Sequence, residues 1–169
     1  MRLLAAFLAL PLLTLPAGSA ASPASTVGWS WPLPGPHHVV RGFDPPPQPW
    51  LPGHRGVDLA GHRAEPVLAS GTGVIAFAGQ VARVPVVSIL HPDGLLTTYQ
   101  PVRTLLQTGD PAVAGQPIGL LVATGSHCAP SACLHWGLRR GSDYLDPLAL
   151  LHLNPVRLLP LESLGPVDD

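Results

Sequence analysis

Charge is scarce in this chain. Asp, Glu, Lys and Arg make up 11% of its 169 residues, and the formal net charge is −1. No basic stripe is available, so a nucleic-acid partner is excluded. Long periodic segments are lacking too: neither an extended amphipathic helix nor an internal repeat is visible. No His-Glu-x-x-His pair occurs, which excludes a thermolysin-like metal scheme, and Glu65 is not placed as a general base would be. Cysteine is limited to Cys128 and Cys133. Proline and glycine are plentiful, at 22 and 18 residues, and they favour short strands and turns over helices. The length suits one domain with tails.

Residues 1–20 are expected to be a secretory signal peptide. Arg2 gives a minimal positive start, and Leu3 to Leu15 is an apolar run broken by Pro11 and too short to span a bilayer. Gly18-Ser19-Ala20 offers small residues for cleavage after Ala20. An uncleaved anchor is the alternative. No cysteine follows the run, which argues against a lipid-modified terminus. A secreted or envelope location follows. In that oxidising setting Cys128 and Cys133 are expected to pair as a disulfide, fixing the strand that follows. The other reading makes Cys133 a thiolate metal ligand.

Residues 21–49 are expected to form a Pro-rich lead-in, exposed over 21 to about 35. Trp29 and Trp31 alternate about Ser30 as in a short strand, until Pro32 to Pro36 breaks any regular structure. Stretch 37–41 suits another short strand, with His37 and His38 expected in solvent. From Glu65 the pattern is regular. Strands are expected at 66–69, 74–78, 84–90, 95–100, 118–123 and 134–138. Pro85 marks an edge or a strand start. His91-Pro92-Asp93-Gly94 reads as a hairpin turn, and 139–142 as another. Stretch 146–151 suits one or two helical turns, with Pro147 at the first helical position. An antiparallel, mostly β domain is expected over 50–150, with a tail over 151–169.

Two stretches carry the chemistry. His54 and Asp58 lie four apart among glycines and small residues, before a strand-like run, and His135 sits far downstream in a short apolar strand. Two imidazoles and a carboxylate, with a fourth position left to water, suit a catalytic zinc ion.

These residues resemble the M23 (LytM and lysostaphin type) zinc metallopeptidases, which cut peptides of bacterial peptidoglycan. The resemblance rests on His54-Arg55-Gly56-Val57-Asp58-Leu59 and on the run Pro66 to Val74. It continues through Val87 to Tyr99, Gly109, Gly115 to Gly119, Thr124-Gly125 and Leu134-His135-Trp136. It implies a small antiparallel β core with the metal in a groove. Its metal ligands fall on His54, Asp58 and His135. Its two further histidines, expected to act in catalysis, fall on Pro101 and Cys133.

Peptide hydrolysis needs a group that carries the water proton to the leaving amine, and neither proline nor a half-cystine can do so. His127, just before the cysteine loop, is the candidate substitute, with a solvated loop histidine as the alternative. His62 and His91 are weaker candidates. Tyr99 is a candidate oxyanion donor or else a half-buried strand tyrosine, and Trp136 a groove wall or, more commonly, core. Arg139 and Arg140 offer positive charge to acidic peptide stems, or simply sit in solvent. Three functions stand side by side. The first is a secreted zinc endopeptidase acting on peptidoglycan peptides. The second is a degenerate relative that binds peptidoglycan or activates another cell-wall hydrolase. The third is a structural envelope domain without metal.

Overall fold

The computed structural model describes residues 28–36, 38–48 and 50–152. The expected signal segment, His37 and the tail from Asn154 lie outside the described residues. In chain order the strands are β1 (Val39–Arg41), β2 (Gly56–Gly61), β3 (Pro66–Leu68), β4 (Gly73–Val81), β5 (Val84–Leu90), β6 (Leu95–Gln100), β7 (Val102–Arg103), β8 (Pro111–Ala112), β9 (Pro117–Leu121), β10 (Ala132–Arg140) and β11 (Asp143–Leu145). A helical turn, α1 (Ala149–His152), follows. The larger sheet runs β1-β2-β10-β6-β5-β4-β8, with β11 beside β10. The smaller runs β3-β9-β7. Pairing is antiparallel in both, as expected.

Period-two alternation explains how the large sheet holds a core on one side and a polar groove on the other. Along β6, Leu95, Thr97 and Tyr99 are buried, while Leu96, Thr98 and Gln100 are half-exposed. Along β10, Leu134, Trp136 and Leu138 enter the core. There they join Val57 and Leu59 of β2, and Val67, Val102, Ile118 and Leu121 of the small sheet. Each large buried side chain contributes about 1.5–3 kcal/mol. Leu134 and Trp136, on either side of His135, therefore fix the register. A slip of one residue would put Trp136 in the groove and His135 in the core.

Several expected elements shift. Asp58 lies inside strand β2 rather than before one. β4 runs past Gly79 to Val81, and β10 runs on through Arg140, so the turn there is confined to Gly141-Ser142. Pro85 is at the start of an interior strand, paired with Gln80, and not at an edge. The two-residue strands β7 and β8 were not expected, nor was β11. The hairpin at His91 to Gly94 forms, with Gly94 at φ 78° and the His91 amide donating to the Leu95 carbonyl at 2.9 Å.

Residues 28–33 of the lead-in are packed down and are not an exposed arm, while most of 34–36 and 38–48 is exposed. Leu33 is buried, Trp29 meets the His91 ring edge-on at 4.6 Å, and Trp31 lies 6.4 Å from Trp136. The Ser30 amide donates to Ser70, and the Leu68 amide to Pro32. Both tryptophans pack inward without forming a strand. His38 is exposed.

Candidate metal centre

His54 sits on the loop entering β2, held by two backbone hydrogen bonds with Asp44. Asp58 lies on β2, and His135 is its register partner on β10. Gly56 makes room for this pairing, because a Cβ there would meet the His135 ring at 2.8 Å. His54 Nε2, Asp58 Oδ1 and His135 Nδ1 stand 3.0–3.1 Å from one another. His54 and Asp58 are buried to 2% and 1% exposure, and His135 is largely buried.

Protons alone do not satisfy this triangle. His54 Nδ1 lies 2.6 Å from the Gly42 carbonyl, which only accepts, so Nδ1 carries the hydrogen. The ring's other nitrogen, Nε2, then faces both a carboxylate and a second imidazole nitrogen. A hydrogen on His135 Nδ1 can point at only one of its two neighbours. A lone-pair contact is left over in a buried place, and a cation removes it.

The protonation states fit the same reading. Burial alone would raise the Asp58 carboxyl. Hydrogen bonds from His135 and His127, with the nearby His127 and His54 rings, outweigh it and hold the group down to about 2. At His135 burial lowers the imidazole more than the neighbouring Asp58 raises it, so the ring is neutral and ready to act as a donor.

His127 joins them. Its Nδ1 lies 3.0 and 3.1 Å from the two Asp58 oxygens, and its ring is 38% exposed toward the groove. The donor atoms of His54, Asp58, His127 and His135 all lie within 4.8 Å of one another, a group that can hold a metal ion. The loop carrying His127 is fixed below by Ser126, whose Oγ accepts from the Cys133 and Cys128 amides at 3.0 and 3.2 Å. The Cys128–Cys133 disulfide closes it. Cys133 is thus bonded to sulfur and is no thiolate ligand. Neither Pro101 nor Cys133 supplies an imidazole, and both are buried.

Tyr99 requires a correction. It is fully buried on the opposite face of the sheet, its hydroxyl accepting from the Ser70 amide at 3.0 Å and lying 2.9 Å from Thr97 Oγ1. It does not face the groove and cannot serve as an oxyanion donor there. Trp136 is likewise core. His62 is exposed and pairs with Glu65 at 3.2 Å, and His91 is buried against Thr72 and Thr97, so neither joins the cluster. The Gly42 carbonyl was missed, because a backbone acceptor leaves no mark in a sequence. A groove of about 650 Å³ opens over the centre, floored by β4, β5, β6 and β10.

Peptidase family M23 matches residues 52–147, and the chain belongs to that family. An uncharacterised protein of Mycobacterium tuberculosis (strain H37Rv) is 47% identical over 152 residues, which cover 88% of this chain and 61% of that protein. The chain therefore spans about three fifths of that relative's length. The murein hydrolase activator NlpD of Salmonella typhimurium is 29% identical over 138 residues, covering 80% of this chain and 34% of that protein. Among solved structures, the catalytic domain of the antimicrobial peptidase lysostaphin from Staphylococcus simulans superposes with a TM-score of 0.58 at 26% identity. That match covers 69% of this chain and 92% of that one. The antiparallel β fold expected from the resemblance is the fold observed.

Proposed function

We propose that this chain is a cell-envelope metallopeptidase domain that holds one zinc ion and cuts peptides of peptidoglycan. His54 Nε2, the Asp58 carboxylate and His135 Nδ1 are its ligands. The observation that carries this is the buried triangle of donor atoms at 3.0–3.1 Å. Zinc ligands at about 2.0–2.1 Å in a tetrahedron stand about 3.3–3.4 Å from one another, close to that spacing. When bound, zinc polarises a carbonyl oxygen and lowers the pKa of water to about 7. The protein's own residues do the rest. Asp58, ionised to about pH 2, supplies the negative charge. The Gly42 carbonyl fixes the His54 tautomer. The partly exposed His127 takes up and releases the proton that moves from water to the leaving amine, in place of the imidazoles absent at Pro101 and Cys133.

Those two absences favour a second reading, in which the groove binds peptidoglycan without cutting it and activates another hydrolase. The likeness to the activator NlpD supports it. Metal analysis of the purified chain, followed by release of peptide ends from peptidoglycan with and without a chelator, separates the two. About one zinc per chain and chelator-sensitive release are expected. Bound zinc with no release under any metal loading, or no bound metal at all, overturns the enzyme and leaves the binder.

A further inference from the structure

The groove over the metal centre carries positive charge at one end and no acidic side chain in its lining. Arg55 and Arg139 both line it, and no Asp or Glu does. This runs against the chain as a whole, whose formal net charge is −1. The two arginines meet around Tyr144. Arg139 is the register partner of Tyr144 across β10 and β11, and the Arg55 guanidinium lies 5.6 Å from the centre of the Tyr144 ring. Arg139 is exposed and forms no ion pair with any described residue.

The pleat fixes where this charge stands. His135, Gly137 and Arg139 alternate along β10 onto its groove face. Arg139 lies four steps along the strand from the metal ligand His135, or about 13 Å at about 3.3 Å per residue. A peptide lying extended in the groove advances about 3.3–3.6 Å per residue, so the same distance spans about four of its residues. Gly137, having no side chain, leaves the floor between them low.

We propose that this end of the groove is a carboxylate subsite. It selects an acidic peptide, with a side-chain or terminal carboxylate about four residues from the metal centre, over a neutral one. Arg139 receives the carboxylate, and Arg55, stacked on Tyr144, adds to the field and shapes the wall. A guanidinium suits this role because its planar fork can hold both carboxylate oxygens. The proposal rests on the peptidase reading for the orientation of the peptide, while its binding preference is measured without any cleavage.

The test compares two soluble peptidoglycan stem peptides, one with free carboxylates and one with the same groups amidated. Binding to the full chain is measured by calorimetry, with chelator present so that nothing is cut. The acidic peptide is expected to bind roughly two- to five-fold more tightly, the upper part of the range for an exposed charge pair, and the gap should close in high salt. Arg139→Gln is expected to remove most of the preference and Arg139→Lys to restore part of it. Arg139 is exposed at the end of β10, and an unchanged melting temperature verifies that the variant folds. Equal affinity for the two peptides in wild type, no binding of either, or a preference that survives Arg139→Gln overturns the subsite. Metal content and peptide release are read on chelator-free samples of the same preparations. A protein that binds zinc and cuts peptides without preferring the acidic one loses only the subsite. One that prefers the acidic peptide but holds no metal loses only the peptidase reading.

Discussion

Two histidine networks lie on opposite faces of the same sheet, and they differ in what the ring nitrogens face. On the core face, His91 Nδ1 donates to the Thr72 carbonyl at 2.9 Å. Its Nε2 meets Thr97 Oγ1 at 2.8 Å, and the Tyr99 hydroxyl accepts from the Ser70 amide beyond. Each nitrogen of that ring has a single neutral oxygen as its partner. On the groove face, the hydrogen of His54 is taken by Gly42, and its other nitrogen faces a carboxylate and an imidazole. Burial and perturbed protonation are common to both, since burial lowers His91 and His135 alike. A surplus of acceptors is what marks the metal centre.

The sharpest way to break this comparison is to remove one ring from each network. His54→Ala is expected to cut bound zinc from about one per chain to near zero and abolish peptide release, both followed by metal analysis and end-group assay. His91→Ala should keep its zinc and lose about 1–3 kcal/mol of stability, the cost of leaving Thr72 and Thr97 without their partner. The reverse pattern would mean that the two networks have been assigned the wrong way round. Next in size is His127→Ala. It should lower peptide release by about 10²–10⁴ while zinc content holds, the span of a lost proton carrier. An unchanged rate removes His127 from the chemistry.

A smaller effect is expected from Tyr99→Phe. It strips a hydroxyl from between the Ser70 amide and Thr97, and about 1–3 kcal/mol should go in denaturant melts with kcat unaltered. A slowed reaction at full stability would return Tyr99 to the groove. Smallest is the dependence on pH. Burial holds His91 below the ordinary imidazole range despite the Thr72 carbonyl and the Asp93 charge. The folded chain therefore keeps it neutral, while the unfolded chain takes a proton below about pH 6.5. Its contribution is full above that value and lost as the pH falls. Melts of the metal-free protein from pH 7.5 to 5 should fall more steeply for wild type than for His91→Asn.

Much of this was legible before any coordinates. The regular strands from Pro66 onward announced themselves through β-branched runs and Gly or Pro turns, and β5 and β6 fall where alternation puts them. His54, Asp58 and His135 stood out because the M23 pattern spaces them, and His127 because the expected imidazoles are missing. Tyr99 was misread because a strand tyrosine has the same letter on either face, and only the register with Trp136 decides which way it turns. The two-residue strands β7 and β8 are too short for any periodicity. The burial of residues 28–33 was missed for a different reason. Its prolines signal irregular backbone, and irregular backbone can be buried when its amides and carbonyls find partners, as Ser30 and Pro32 do.

The family match starts at residue 52, but the Gly42 carbonyl that orients His54 lies ten positions upstream, and Leu33 of the core further still. A recombinant fragment trimmed to the matched span would free the His54 ring to rotate and uncover one side of the core. Its weak metal uptake would then reflect where the gene was cut, and would say nothing about the activity of the native domain.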